Sequence, residues 1–177
     1  MVSENTQISI SRKRAIDNKS LVFVLHRHDA SHLHYDLRLE MGGVLKSWAI
    51  PKGPSMDPFQ KRLAILVEDH PLGYKDFEGI ISEGYGAGKV EIFDRGKLIP
   101  ELSNGCSGEQ ALLEGLKKGE IIFRLSGKKL KGSFVLVRMK GESKKDWLLI
   151  KRADRFAKKK KGTKHTVAGT RKNKLTR

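Results

Sequence analysis

Residues 26–40 read HRHDASHLHYDLRLE, and this stretch decides how the chain is expected to fold. From His32 onward polar and apolar residues alternate strictly: one parity carries histidine, aspartate, arginine and glutamate, and the other carries leucine and tyrosine. Alternation with a period of two is typical of a β-strand with one face in a core. The polar face of this predicted strand presents His34, Asp36 and Arg38 in a row, which makes it a candidate site.

Seven further segments are short, contain β-branched or aromatic residues and are bounded by turn-forming residues. Gly42 and Gly43 indicate a hairpin turn, because both tolerate positive φ. A helix is predicted from Ser107, which would cap it with Gln110 reaching back, to Gly119, which would end it. These elements predict a mainly β fold, either a barrel or a curled sheet with a covering helix. The eight strands are expected at 21–26, 33–40, 44–50, 62–68, 89–94, 121–125, 133–139 and 147–151.

The positive charge of the chain, +16 in all, is concentrated at its carboxyl end. Residues 155–177 contain ten Lys or Arg and no acidic residue, which leaves 26 Lys/Arg against 20 Asp/Glu in the rest. A basic excess favours phosphate polyanions, while an acidic membrane surface or a merely solvated tail stays open. We expect an N-terminal arm at 1–19, one barrel domain at 20–155 and a flexible basic tail at 156–177.

Several classes of protein are excluded by composition. No apolar run approaches the roughly 18 residues of a membrane span, so we expect a cytoplasmic protein. The single cysteine, Cys106, excludes an internal disulfide and a multi-cysteine zinc site, so a metal would be bound by histidine and carboxylate. The segment EGYGAGKVEIF is not a phosphate-binding P-loop, because Glu83 and Val90 stand where Gly and Ser or Thr are required. Its glycines are expected to allow a close strand approach or a bulge.

A second alternating run, RLAILVEDH at 62–70, places Glu68 and His70 on one parity, while Leu63 and Ile65 face the other way. If this strand neighbours the first, its polar residues would converge with those of the first strand on one pocket. Lys52 and Tyr74 would then lie nearby. The alternative is that Glu68 and His70 merely end a strand.

Two kinds of active site fit these residues. In an iron oxygenase, His34 and Asp36 would bind the metal together with a distal His70. In a phosphoryl-transfer site, His28, His34 and Asp36 would hold a divalent metal at a phosphate oxygen. The surrounding cations favour the second, because they would neutralise charge that develops during hydrolysis; they are Arg38, Lys52, Arg62 and His70. A set of surface histidines on a polar strand face is the simpler alternative.

Five segments in order resemble the 3′-phosphoesterase domain of bacterial DNA ligase D and its stand-alone relatives in bacteria and archaea. Together they span roughly residues 21–155. They are FVLHRHDASHLHYDLRLEMGGVLKSWAIPKGPS, RLAILVEDHPLGYKDFEG, EGYGAGKVEIFDRGK, LKGSFVLVRM and DWLLIKRAD.

The resemblance implies a small closed or nearly closed β-barrel of about eight strands with a covering helix. It also implies a metal-dependent enzyme that prefers Mn²⁺, with Zn²⁺ or Co²⁺ as alternatives. Such enzymes remove a 3′-terminal ribonucleoside from a DNA primer and then hydrolyse the remaining 3′-phosphate to a 3′-OH. The implied partners are primer-template 3′ ends, including ribonucleotide-terminated ends, and a repair ligase, polymerase or Ku acting in trans. We expect a monomer in the cytoplasm, associated with the nucleoid.

By position in the family motifs, each candidate residue receives an implied role. Two positions depart from relatives, which usually have Gln at the position of His26 and often another residue at that of His32. An acid that follows the arm arginine in relatives is replaced by Ala15 here.

A non-catalytic module that binds DNA ends, and the iron oxygenase, stay open as alternative functions. The implied metal ligands are His28, His34 and Asp36, the phosphate-contacting and supporting residues are Arg38, His70, Glu68 and Tyr74, and the substrate-binding residues are Lys52, Arg62 and Arg14.

Overall fold

A computed structural model describes residues 20–84, 86–101 and 108–158. The predicted arm, the cap at Ser107 and the tail from residue 159 onward lie outside these residues. The described part contains nine strands, one α-helix and one 3₁₀ helix, Leu72–Asp76. The strands are β1 Leu21–Asp29, β2 Leu33–Met41, β3 Val44–Ile50, β4 Arg62–Leu66, β5 Gly79–Ile81, β6 Gly88–Pro100, β7 Glu120–Ser126, β8 Lys131–Arg138 and β9 Asp146–Lys151, and the helix α1 is Gly108–Lys118.

Eight strands close into an antiparallel barrel. Their order is β1-β2-β3-β4-β9-β8-β7-β6, and pairing of β1 with β6 closes the ring. β5 is an additional short strand that pairs with β6. The prediction of a mainly β fold, a closed or nearly closed barrel of about eight strands with a covering helix, is confirmed.

The barrel interior is filled by apolar side chains from alternate positions. Phe23 and Leu25 of β1 lie opposite Leu39 and Leu37 of β2, and all four are buried. Directly opposed residues of an antiparallel pair share a face of the sheet. The intervening residues of β1 and β2 therefore point away from this interior, and they include the polar residues that the alternation singled out.

The hairpin turn and the helix end follow the predictions. Gly42 and Gly43 have φ values of 65° and 79°, and Gly119, just after α1, has a φ of 91°. The helix packs on the barrel through Leu112, which is buried in the core. The Gln110 side chain donates to Glu114 Oε1 at 3.1 Å, and its predicted contact with Ser107 lies outside the described residues.

Several strand predictions were wrong in detail. β1 continues to Asp29 and β6 to Pro100, beyond the predicted ends at 26 and 94. β4 ends at Leu66, and its buried side chain is Ala64, whereas Leu63 is 43% exposed. Ala64 pairs with Trp147 of β9, and both side chains are buried. β5 was missed because three residues are too few for a periodic pattern to be detected. No helix in the described residues is long and apolar enough to cross a membrane.

Candidate active site

His28 of β1 and three polar residues of β2, His34, Asp36 and Arg38, line a concavity of about 500 Å³ on the outer side of the barrel wall. The strand register brings them together across neighbouring strands: His28 lies opposite His34, and Arg38 lies opposite Ser47. Since the other parity of these strands fills the barrel interior, the concavity and the core are on opposite faces of the same sheet. The convergence predicted for His34, Asp36 and Arg38 is confirmed.

The chain that follows β4 covers this concavity. β2 and β4 are not neighbours, since β3 lies between them. The chain leaves β4 after Leu66 and runs beside β3, where Val67 N donates to Ser47 O and His70 pairs with Leu45. This course carries Glu68, His70 and Tyr74 to the concavity. Their convergence with β2 was predicted, but it depends on the segment after the strand and not on a β2–β4 pair.

A group able to hold a metal ion is formed by His28, His34 and Asp36. One ligand atom from each residue lies within 4.8 Å of the others. His28 Nδ1 is 3.5 Å from Asp36 Oδ2, and His34 Nε2 is 3.6 Å from Asp36 Oδ1. Two imidazole nitrogens and a carboxylate suit a first-row divalent cation, so these residues fit the metal that the sequence predicted.

Backbone carbonyls orient both imidazoles. His28 Nε2 lies 2.9 Å from Gly86 O, and His34 Nδ1 lies 2.9 Å from His32 O. A neutral ring that donates one N–H to a carbonyl leaves its other nitrogen as a free ligand, and in both rings that nitrogen faces Asp36. Sequence reasoning missed the roles of Gly86 and of the His32 backbone, because carbonyl groups carry no residue-type signal. The His32 side chain is exposed.

Arg38 is buried beside this group and is held by hydrogen bonds in three directions. Its Nη2 donates to Asp36 Oδ2 at 3.1 Å, its Nη1 to Ser47 Oγ at 2.9 Å and its Nε to His26 Nδ1 at 3.1 Å. Burial lowers the pKa of Arg38, and the Asp36 carboxylate opposes that shift. Guanidinium stays charged in proteins, so a fixed cation stands next to the metal-binding group. Ser47 was missed by the sequence analysis, although it shares the parity that faces the site.

The fully buried His26 is the neutral acceptor for Arg38. Burial, together with the charge of Arg38, lowers the pKa of His26 to about 4. The ring is therefore neutral at pH 7, and its Nδ1 is free to accept the Arg38 hydrogen bond. His26 therefore has a structural partner in Arg38. It stands at a position where relatives usually have Gln.

His70 and Tyr74 lie over Arg38 on the covering segment. Arg38 Nη1 is 2.9 Å from His70 Nδ1 and 3.3 Å from Nε2, so the ring must be neutral for either nitrogen to accept. Burial and then Arg38 lower the pKa of His70. The Tyr74 ring lies 4.9 Å from Arg38 Cζ, and burial raises its pKa. Because His70 contacts Arg38 while His28 completes the metal-binding group, the oxygenase ligand set that used His70 is not assembled.

Four predicted site residues remain, and they do not all lie at the concavity: Glu68, Lys52, Arg62 and Arg14. Glu68 lines the concavity with an exposed side chain. Lys52 is exposed in the turn after β3, and Arg62, at the start of β4, donates its Nη2 to Gln60 Oε1 at 2.6 Å. Neither of these two cations lines the concavity. Arg14 lies outside the described residues.

The glycine-rich segment closes one side of the concavity. Gly84, Gly86 and Ala87 line it, and Gly88 begins β6. A Cβ at Gly88 would lie 2.4 Å from the Asp29 carbonyl oxygen, and its φ of 147° is rare for other residues. The close strand approach that the sequence predicted is therefore present at Gly88.

The fold and the site together define a closed β-barrel protein with a His-His-Asp group and a buried arginine on its outer face. Comparison with known proteins agrees with this class. The family described as the DNA Ligase D 3′-phosphoesterase domain matches residues 26–138, and the chain belongs to this family.

Curated relatives support the assignment. The chain is 49% identical over 146 residues to the multifunctional non-homologous end joining protein LigD of Pseudomonas aeruginosa, an alignment that covers 81% of this chain and 16% of that protein. It is 41% identical over 140 residues to LigD of Mycolicibacterium smegmatis, covering 75% of this chain and 17% of the relative. LigD of Mycobacterium tuberculosis is 38% identical over 141 residues, with 79% and 17% covered. The chain thus corresponds to about a sixth of the length of these relatives.

Proposed function

We propose that this chain is a metal-dependent phosphoesterase that heals DNA 3′ ends. It would remove a 3′-terminal ribonucleoside as a phosphodiesterase and then hydrolyse the remaining 3′-phosphate as a phosphomonoesterase. The observation that carries the proposal is the buried Arg38 beside the His28, His34 and Asp36 group in one cavity of a chain from this family. A fixed cation next to a group suited to a divalent metal matches the charge of a phosphate ester.

His28, His34 and Asp36 would hold the metal, which we propose to be Mn²⁺, with Zn²⁺ or Co²⁺ as alternatives. When bound, a divalent cation supplies a Lewis acid for a phosphate oxygen. The Gly86 and His32 carbonyls keep the ligand nitrogens directed at Asp36.

Arg38 would bind a phosphate oxygen with little reorganisation, because its guanidinium is already fixed by Asp36, Ser47 and His26. His70 would contact the same phosphate from the covering segment, and Tyr74 would keep Arg38 and His70 in place by packing against both. Glu68 would support the site from the rim of the cavity.

Lys52 and Arg62 would act mainly in the diesterase step. Neither residue lines the cavity, so they would meet the part of the substrate that extends beyond the reacting phosphate. A diester carries a nucleoside leaving group and one fewer phosphate charge than a monoester, so cations farther from the reaction affect the two steps differently. Arg14 and the basic tail would add contacts to the DNA.

The substrates would be primer-template 3′ ends, including those that terminate in a ribonucleotide. Because the relatives are multifunctional end-joining proteins, a repair ligase, polymerase or Ku would use the healed end in trans. We propose a monomer that works in the cytoplasm on nucleoid DNA.

A primer-template with one 3′-terminal ribonucleotide tests the proposal. With Mn²⁺ the wild-type protein should convert the primer first to a 3′-phosphate and then to a 3′-OH, resolved on a denaturing gel. Lys52→Ala and Arg62→Ala should stall at the ribonucleotide but still hydrolyse a synthetic 3′-phosphate primer. Lys61→Ala, which alters the exposed lysine next to Arg62, is the matched control and should process both ends.

Other outcomes would contradict parts of this scheme. Equal losses on both primers in the Lys52 and Arg62 variants would remove their step-specific role. DNA binding without any metal-dependent product would indicate a non-catalytic end-binding module. Turnover of an organic substrate with ferrous iron and oxygen, in place of primer processing, would indicate the oxygenase.

A further inference from the structure

A second concavity, about 580 Å³ in volume, opens where α1 ends and where β8 turns into β9. Nine residues line it; five of them are Lys or Arg and none is acidic. We call this the basic hairpin surface. Its cations are Lys117, Lys118, Arg138, Lys140 and Lys144.

Most of these charges are not neutralised by the protein. Within residues 20–84, 86–101 and 108–158, Lys117 forms an ion pair with Glu114 at 3.1 Å and the other four cations form none. Glu142 lies in the same hairpin with an exposed side chain, but it does not line the concavity. Lys117 and Lys118 have a structural explanation, because cations in the last turn of a helix complement its dipole. Lys140 and Lys144 are exposed loop residues without that explanation.

Arg138 lies at the centre of the contacts between the two elements that form the surface. Its Nη2 donates to the Lys117 carbonyl at 3.3 Å, and its guanidinium lies over the Trp147 ring, 5.6 Å from the centroid. Gly119 leaves room for this arrangement, since a Cβ there would lie 3.0 Å from Arg138 Nε. The guanidinium therefore contacts both α1 and β9, while the lysines around it are exposed.

The surface adjoins the segment that covers the active site. Leu66 N donates to Lys145 O at 2.8 Å, so the β8–β9 hairpin is bonded to the end of β4. The next two residues, Val67 and Glu68, line the active-site cavity. A polyanion that enters the cavity and extends past this segment would reach the hairpin lysines.

We propose that the basic hairpin surface binds the sugar–phosphate backbone of the duplex whose 3′ end occupies the active-site cavity. The identity of this ligand rests on the proposed function, while the surface is a distinct site outside the cavity. Unpaired cations on two separate elements match a regular array of phosphates, and their contacts release counterions from the duplex. The surface would position the DNA and take no part in hydrolysis.

The test compares two full-length double variants that lose the same charge. Lys140→Ala/Lys144→Ala removes two cations of the surface, and Lys128→Ala/Lys131→Ala removes two exposed lysines near the opposite end of β8. Binding of a fluorescein-labelled primer-template with an ordinary 3′-OH is measured by fluorescence anisotropy, from about 50 to about 300 mM NaCl. The first variant should lower the slope of log K against log salt by about 1.8, at about 0.9 per lost phosphate contact. The control should keep the wild-type slope.

Because this DNA already ends in 3′-OH, the measurement does not depend on hydrolysis. If the Lys140/Lys144 variant has a lowered slope but the wild-type protein processes no 3′ end, DNA binding by the surface is supported and the proposed function is rejected. If the slope is unchanged but the wild-type protein processes 3′ ends, DNA binding by the surface is rejected and the proposed function is retained. Equal slope changes in both variants would show only a general charge effect and would also reject the surface.

Chemical acetylation of lysines, followed by mass spectrometry, tests whether the partner is DNA or an acidic protein. Saturating duplex should protect Lys140 and Lys144 at least several-fold more than Lys128 and Lys131. Poly-glutamate at the same concentration of negative charge should protect them less. Equal protection by poly-glutamate, or no preference among the four lysines, would overturn the assignment to DNA.

Discussion

In the middle of strands β1 and β2 both faces carry buried side chains, yet the cross-strand pairs on the two faces differ in chemistry. On the inner face Leu25 and Leu37 are opposed and fully buried in the core. On the outer face His26 and Asp36 are opposed and are 0% and 5% exposed. Burial of polar groups is costly unless they are hydrogen-bonded or paired. On the outer face Arg38 provides such partners, because it donates to His26 Nδ1, Asp36 and Ser47. Within the described residues, His26 Nε2 is buried without a hydrogen-bond partner.

This comparison shows how a short strand serves the core and the site at once. Successive side chains point to opposite faces, so Asp36 and Leu37 are adjacent in sequence but belong to different environments. The inner side chains contribute to the core, and the outer side chains contribute to the site. Because neighbouring side chains lie in different environments, substitutions at neighbouring positions should have separable consequences.

The largest effect is expected from the outer face. Asp36→Asn keeps the shape of the side chain but removes the charge that the metal-binding group and Arg38 share. Metal-dependent hydrolysis of a 3′-phosphate primer should fall to background, because the carboxylate ligand is lost. Circular dichroism at the assay temperature checks that the variant is folded. The control Asp29→Asn alters an exposed carboxylate that pairs with Arg27, and it should keep wild-type activity. Full activity in Asp36→Asn would refute the ligand assignment.

The inner face should respond in the opposite way. Leu37→Ala removes a fully buried side chain and should lower the free energy of unfolding by about 2–5 kcal/mol. Urea unfolding measures this change, and the hydrolysis rate per folded molecule should stay at the wild-type value. Leu33→Ala, at the exposed start of the same strand, should cost much less stability. A loss of rate beyond the loss of folded protein would show that the two faces are not separable.

The smallest effect concerns the pH dependence of stability. Burial and Arg38 hold the pKa of His70 below its ordinary value of 6.5 in the folded protein. As pH falls through 6.5 the unfolded chain binds a proton that the folded chain excludes, so stability falls until the folded pKa is passed. His70→Asn should remove this contribution and lose less stability than wild type between pH 7.5 and about 5, measured by urea unfolding in EDTA.

The control for the pH experiment is a substitution of the exposed His32. His32→Asn should lose as much stability on acidification as the wild-type protein. If His70→Asn also matched wild type, the folded environment of His70 would not disfavour its protonation.

The sequence by itself determined the mainly β character of the fold, a helix that ends at Gly119 and the group formed by His28, His34 and Asp36. These features depend on local pattern: alternation with a period of two sets the faces of a strand, and His34 and Asp36 are two residues apart on one face. His28 joins them across the short turn between β1 and β2, where it pairs with His34. Contacts over so short a chain separation follow from pattern alone.

Only the tertiary structure decided how the site is covered and what holds Arg38. The course of the chain after Leu66, the Gly86 carbonyl beside His28 and the Ser47 hydroxyl beside Arg38 all depend on strand order and register. The same is true of Ala64, which faces inward because it meets Trp147 on a strand far along the chain. Pairing between distant segments is set by closure of the barrel and by the volumes of the side chains that fill it. Neither quantity appears in the periodicity of any single strand.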